Sequence, residues 1–157
     1  MNMTKYAQDF LEALLWANEE SNEELQGHSI HEFDPRIVEA LELFISDFRA
    51  YLSMSGFNMD DVDGLERPFG HDCYFDLSGH GVGFWDNRDT FGWQVSKAYR
   101  EFAGQYRFEE LGYNLMWNDE TNQIELSFME EFQQEYINKY FRAGLNYDDV
   151  KQVEDYE

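Results

Sequence analysis

The chain predicts an α+β domain: a small antiparallel sheet of two hairpins packed with four helices. Three observations carry that expectation. Apolar residues recur at spacings of three and four in several separate stretches. Between them, short runs rich in Phe, Tyr, Trp and Val flank turns of glycine, serine or asparagine. Finally, 157 residues with 14 Phe, 10 Tyr and 4 Trp are enough for one hydrophobic core. No internal repeat is visible, so the expected organisation is one compact domain over residues 1–145 and an acidic C-terminal tail over 146–157.

Thr4 is placed to cap a first helix that runs to about residue 22. In it Phe10, Leu11, Leu14 and Leu15 form one stripe, with Trp16 at the edge. Residues 19–27 (EESNEELQG) are polar and end in glycine, as a fraying helix end or loop does. Asp34-Pro35 is a strong helix start, a capping carboxylate followed by proline at the first helical position. From there Ile37, Leu41, Phe44, Ile45, Phe48 and Leu52 keep helical spacing until Gly56 ends it. Residues 58–68 (NMDDVDGLERP) read as an acidic linker.

The pattern then changes. Residues 73–77 and 82–86 predict two strands joined by the Ser78-Gly79-His80-Gly81 turn. Helical spacing returns over 90–103, with Phe91, Val95, Ala98, Tyr99 and Phe102 on one face. Residues 113–117 and 123–128 flank the turn 118–122 and predict a second hairpin. A last helix over about 129–142 aligns Phe132, Tyr136, Ile137, Tyr140 and Phe141, and Gly144 stops it.

Eleven Lys and Arg against 33 Asp and Glu give a formal charge of −22. The excess is spread over the whole chain: residues 1–67 carry a net −11, residues 68–128 a net −6 and residues 129–157 a net −5. Aromatic richness argues for a folded core inside a negative shell, because acidic disordered tails lack aromatics. Direct binding of DNA or RNA is disfavoured, since phosphate neutralisation needs clustered Lys and Arg. Anionic membrane surfaces are disfavoured on the same ground. The lone Cys73 has no intramolecular disulfide partner, which suits a reducing compartment. No long apolar stretch and no signal-peptide pattern at the N-terminus point to a soluble, cytoplasmic protein.

The densest chemistry lies in residues 70–86. A metal there would draw on His71, Cys73, His80 and Asp86, but their spacing matches no zinc pattern of two close ligand pairs. The simpler expectation is that the glycines serve turns, Phe84 and Trp85 pack, and the histidines bond nearby backbone. General acid–base work would pair His80 with Asp72 or Asp86. A nucleophilic Cys73 would need an electropositive setting, which a charge of −22 opposes. No nucleophile elbow, phosphate-cradling loop or helical zinc-protease motif occurs, so no catalytic residue and no cofactor is expected.

Carboxylates cluster at Glu19, Glu20, Glu23 and Glu24, at Asp60, Asp61 and Asp63, at Asp148 and Asp149, and at Glu154 and Asp155. Carboxylate rows on a rigid scaffold can imitate the phosphates of DNA and occupy a basic channel of another protein, with fast, salt-sensitive association. The plainer alternative is a solubilising surface. Asp60-Asp61-Val62-Asp63-Gly64 does not follow a calcium-loop pattern.

The chain resembles a widespread family of small, acidic, functionally uncharacterised bacteriophage proteins over roughly residues 9–127. The matching residues are Phe10, Ala13, Leu14 or Leu15 and Trp16, acids at Glu19 and Glu20, and the helix start Asp34-Pro35. The hallmark segments follow: Gly70-His71-Asp72, then Gly79-His80-Gly81, Gly83, Phe84, Trp85 and Asp86. Residues 73–78 (CYFDLS) depart from the family's Phe-Trp-Leu-Thr-Arg-Asn, so its Trp and Arg are absent here. The resemblance implies a phage origin and action in the cytoplasm of a bacterial host, and brings no activity with it. Composition, charge and resemblance together lead to one expectation: a non-enzymatic protein that inhibits or modulates a host protein with a basic surface. The target would be a defence or nucleic-acid-processing protein, with DNA mimicry as the sharper form. The alternative is a metal-dependent enzyme or small-ligand-binding protein centred on the His71/His80 hairpin. A homo-oligomer joined through Tyr136 and Tyr140 is a third option.

Overall fold

The fold is α+β. The computed structural model describes residues 2–78, 83–86, 90–103 and 115–126. The predicted final helix, the C-terminal tail with Asp148 and Asp149, and Gly79, His80 and Gly81 lie outside the described residues.

Helix α1 is Lys5–Asn18, and the Thr4 hydroxyl caps it by accepting the Ala7 N–H at 3.2 Å. Its stripe of Phe10, Leu11, Leu14 and Leu15 is buried as expected. Helix α2, Pro35–Met54, starts where Asp34-Pro35 predicts, with the Asp34 carboxylate accepting the Arg36 N–H at 2.9 Å. All six of its periodic apolar residues are buried. It ends in a glycine cap: the Phe57 N–H reaches the Leu52 carbonyl and the Gly56 N–H that of Ser53, both at 3.1 Å. Gly56 takes φ 95°, a conformation open to glycine at no cost. The predicted acidic linker contains a short helix, α3, Met59–Asp63, whose N–H groups are capped by Asn58.

The predicted first hairpin is not a hairpin. Phe69–Ser78 is helix α4, and Phe84–Asp86 is a single 3-10 turn leading towards helix α5, Thr90–Ala103. Pro68 stands at the head of α4, its carbonyl accepting the Asp72 N–H at 3.2 Å. A strand would alternate in burial, whereas Asp72, Cys73 and Tyr74 are consecutive and all buried. The Phe84 N–H that would have paired with a neighbouring strand instead donates to the Asp76 carboxylate at 3.1 Å. Tertiary contacts thus override local strand propensity.

The second hairpin holds. Strands β1, Leu115–Asn118, and β2, Gln123–Leu126, pair antiparallel in the register Leu115 to Leu126 and Asn118 to Gln123. It is pinned beside α2 by the Asp34 N–H donating to the Ile124 carbonyl at 2.9 Å. It is also held by the Asn22 side chain bonding the Leu115 carbonyl at 3.0 Å, and by His28 stacked on Trp117 at 3.8 Å. The core is aromatic: Phe48 meets the rings of Tyr99, Phe69, Phe84 and Phe102, and the buried Tyr99 hydroxyl donates to the Cys73 carbonyl at 2.9 Å. Among the described residues, no helix is long and apolar enough to cross a membrane.

Candidate functional site

Gly70 places α4 against α1. A Cβ on it would collide with the Tyr6 carbonyl oxygen and sit 2.7 Å from the Phe10 nitrogen, so the two backbones touch there. That contact fixes which residues of α4 face which neighbour. Asp72, Cys73 and Tyr74 turn inward, while His71 and Phe75 look along the surface towards Glu12 and Trp16 of α1.

The inward side of α4 holds the 83–86 segment in place. Asp72 is fully buried and pairs with the Arg67 guanidinium at 2.7 Å. The same guanidinium donates to the Gly83 carbonyl at 2.7 Å and lies 3.4 Å from Asp86. Asp76 accepts the Ser96 hydroxyl at 2.9 Å and the Phe84 N–H, with Arg100 at 3.7 Å. Burial pushes its carboxyl up to about 6, against the pull of those hydrogen bonds and of Arg100. At Gly83 a Cβ would lie 2.9 Å from the Asp76 carboxyl carbon, so only glycine lets the 3-10 turn close over that group. Arg67 and Asp76 therefore latch the 83–86 segment to α4 from two sides. The two carboxylates named as partners for His80, Asp72 and Asp86, are both engaged by Arg67.

Cys73 is completely buried, and desolvation, aided by Asp72 and Asp76, pushes its thiol well above the usual range. Both observations fit a packing role. The alternative metal set also separates: His71 faces α1, Cys73 faces the core and Asp86 faces Arg67, while His80 lies outside the described residues. The reason is helical geometry, since residues two apart on α4 point in different directions.

The surface side holds an open cleft of about 370 Å³ lined by Glu12, Ala13, Trp16, His71 and Phe75. Trp16, at the edge of the predicted stripe, is 67% exposed and meets Phe75 edge-on at 6.2 Å. His71 Nε2 lies 3.7 Å from Glu12 Oε2, and the buried Asp9 carboxylate is close to both. Asp9, Glu12 and Arg67 were not singled out by the sequence. The signal exists once 69–78 is helical: Glu12/Trp16 and His71/Phe75 are both i, i+4 pairs on facing helices.

The acidic clusters divide. Glu20, Glu23 and Glu24 are exposed and Glu19 is half-buried, just beyond the end of α1. Asn22 caps a 3-10 turn over Glu23–Leu25, and buried Leu25 anchors it, so these carboxylates sit on ordered backbone. None of the four has a cation within ion-pairing distance among the described residues. Asp60 and Asp61 are exposed in the first turn of α3, where negative charge favours the helix dipole. Asp63 has a structural role: it takes a two-pronged bond from Arg49 at 2.8 and 2.9 Å, and Arg49 stacks 4.1 Å over Tyr6.

These features define an α+β protein in which Asp72, Asp76 and Gly83 help close the fold, and whose surface combines carboxylates without cationic partners among the described residues with an exposed tryptophan cleft. Set beside known protein families, curated proteins and solved structures, the chain matches none of them.

Proposed function

We propose that the protein is a non-enzymatic binding protein that inhibits or modulates a host protein by presenting an acidic surface to a basic one. The observation that carries this reading is the group of Glu19, Glu20, Glu23 and Glu24, without cationic partners among the described residues. They follow the exposed Trp16 by three to eight residues, across the end of α1 and the 3-10 turn Glu23–Leu25. An exposed tryptophan is a strong interface anchor, and surrounding charge speeds and orients association. Asp60 and Asp61 extend the same chemistry, whereas Asp63 is spent on Arg49. The resemblance to small acidic phage proteins points to a bacterial cytoplasm as the setting, and small size and a charge of −22 point to a defence or nucleic-acid-processing protein as the target. In its sharper form the carboxylates stand in for DNA phosphates.

The test is affinity capture from bacterial lysate. The expected partner is a single basic protein, released when sodium chloride rises from about 0.1 M to about 0.5 M, because shorter screening lengths weaken surface attraction. For the mimicry form, duplex DNA added to the lysate should compete for that partner. A neutral partner retained at the higher salt overturns the electrostatic reading.

A further inference from the structure

We propose that Asp9, Glu12 and His71 form a binding site for one divalent transition-metal ion, of the manganese–zinc class, bridging α1 and α4 beside the Trp16 cleft. One donor atom from each of these residues lies within 4.8 Å of the others. A metal with bonds of about 2.0–2.2 Å needs donors roughly 3–3.5 Å apart, so closure of up to about 1.5 Å completes the set. The more exposed members have room to supply it: the Glu12 side chain is 50% exposed and that of His71 29%, while that of Asp9 is 4% exposed. Asp9 and Glu12 are one turn apart on α1, so both project to the face that α4 covers, and Gly70 brings His71 within reach.

The donor set is one imidazole nitrogen and two carboxylates. Manganese, iron(II), cobalt and zinc accept that mixture, whereas calcium and magnesium prefer oxygen alone. Three protein ligands leave coordination positions open, and the aromatic cleft of Trp16 and Phe75 adjoins them. The Lys5 ammonium pairs with Asp9 at 2.7 Å. Its side chain is 72% exposed, so a dication displaces it into water without disturbing the core. A bound ion would staple α1 to α4 and stabilise the fold by linkage. The ligands Asp9, Glu12 and His71 share no carboxylate with the acidic surface of Glu19, Glu20, Glu23 and Glu24.

Titration of the untagged full chain with Mn²⁺, followed by the electron-paramagnetic signal of free ion, tests the site. The expected result is one saturable equivalent, a raised melting temperature, and paramagnetic broadening centred on the His71 ring and the Trp16 indole. His71→Gln and Glu12→Gln, both at accessible positions, should each weaken binding at least about tenfold while far-ultraviolet circular dichroism stays native. Equal binding by wild type and His71→Gln overturns the site, as does the absence of a saturable equivalent. Should either variant misfold, the wild-type broadening map decides: signals centred on Asp60 and Asp61, or on Glu23 and Glu24, mean adventitious binding and overturn it.

Discussion

Asp76 shows how one residue of the latch couples the fold to pH. Its carboxyl is pushed up to about 6 from an ordinary 3.8 by burial beneath the 83–86 turn. Between those values the folded chain binds a proton that the unfolded chain has released, so the contribution of Asp76 to stability is full below about pH 4 and is lost as pH rises through about 6. Asp76→Asn removes that titration. Urea unfolding should show wild type losing up to about 3 kcal/mol more than the variant between about pH 4 and pH 7. The general repulsion of a −22 chain acts on both proteins alike, so it cancels in the comparison. A difference that does not vary with pH would show that Asp76 is not held protonated by its burial. Cys73, about one helical turn before it on α4, is buried in the core and should resist alkylation until the protein is denatured.

At the scale of elements, the α1–α4 contact is the joint on which the candidate sites depend. Gly70→Ala would drive a methyl group into the Tyr6 carbonyl and the Phe10 amide. It should cost on the order of 2–3 kcal/mol, visible as a lowered melting temperature, with Trp16 fluorescence shifting as the helices part. The elements differ in how readable they were. Helix α2 was legible because Asp34-Pro35 and six periodic apolar residues agree at every level, and all six are buried. The second hairpin was legible from its asparagine-rich turn, which the structure closes with Asn122 at φ 54°. Helix α4 was not legible. Residues 73–77 (CYFDL) are aromatic and locally strand-like, and the contacts that make them helical come from α1, α5 and Arg67. Missing that helix also hid the site. His71 stood out in the sequence, but its neighbours Asp9 and Glu12 belong to a distant element, and only the packing at Gly70 brings them together.

For the whole molecule, the governing fact is a charge of −22 around a single aromatic core. The structure divides the carboxylates into two populations. Asp34, Asp63, Asp72 and Asp76 are tied to arginines or to buried donors, and they hold the fold. Glu19, Glu20, Glu23, Glu24, Asp60 and Asp61 hold nothing of that kind among the described residues, and they add self-repulsion. Screening should relieve it: raising sodium chloride from about 0.1 M to about 1 M shortens the screening length from about 10 Å to about 3 Å, so the melting temperature should rise. A surface that repels itself so strongly is compensated best when a basic partner covers it.

The most direct test of that claim is the salt dependence of affinity for the captured partner. It would be measured by calorimetry for wild type and for a variant carrying Glu19→Gln, Glu20→Gln, Glu23→Gln and Glu24→Gln. The acidic-surface account predicts that wild-type affinity falls steeply with salt, and that the variant binds at least about tenfold more weakly with a shallower slope. Equal affinities and flat salt profiles for both proteins would contradict it.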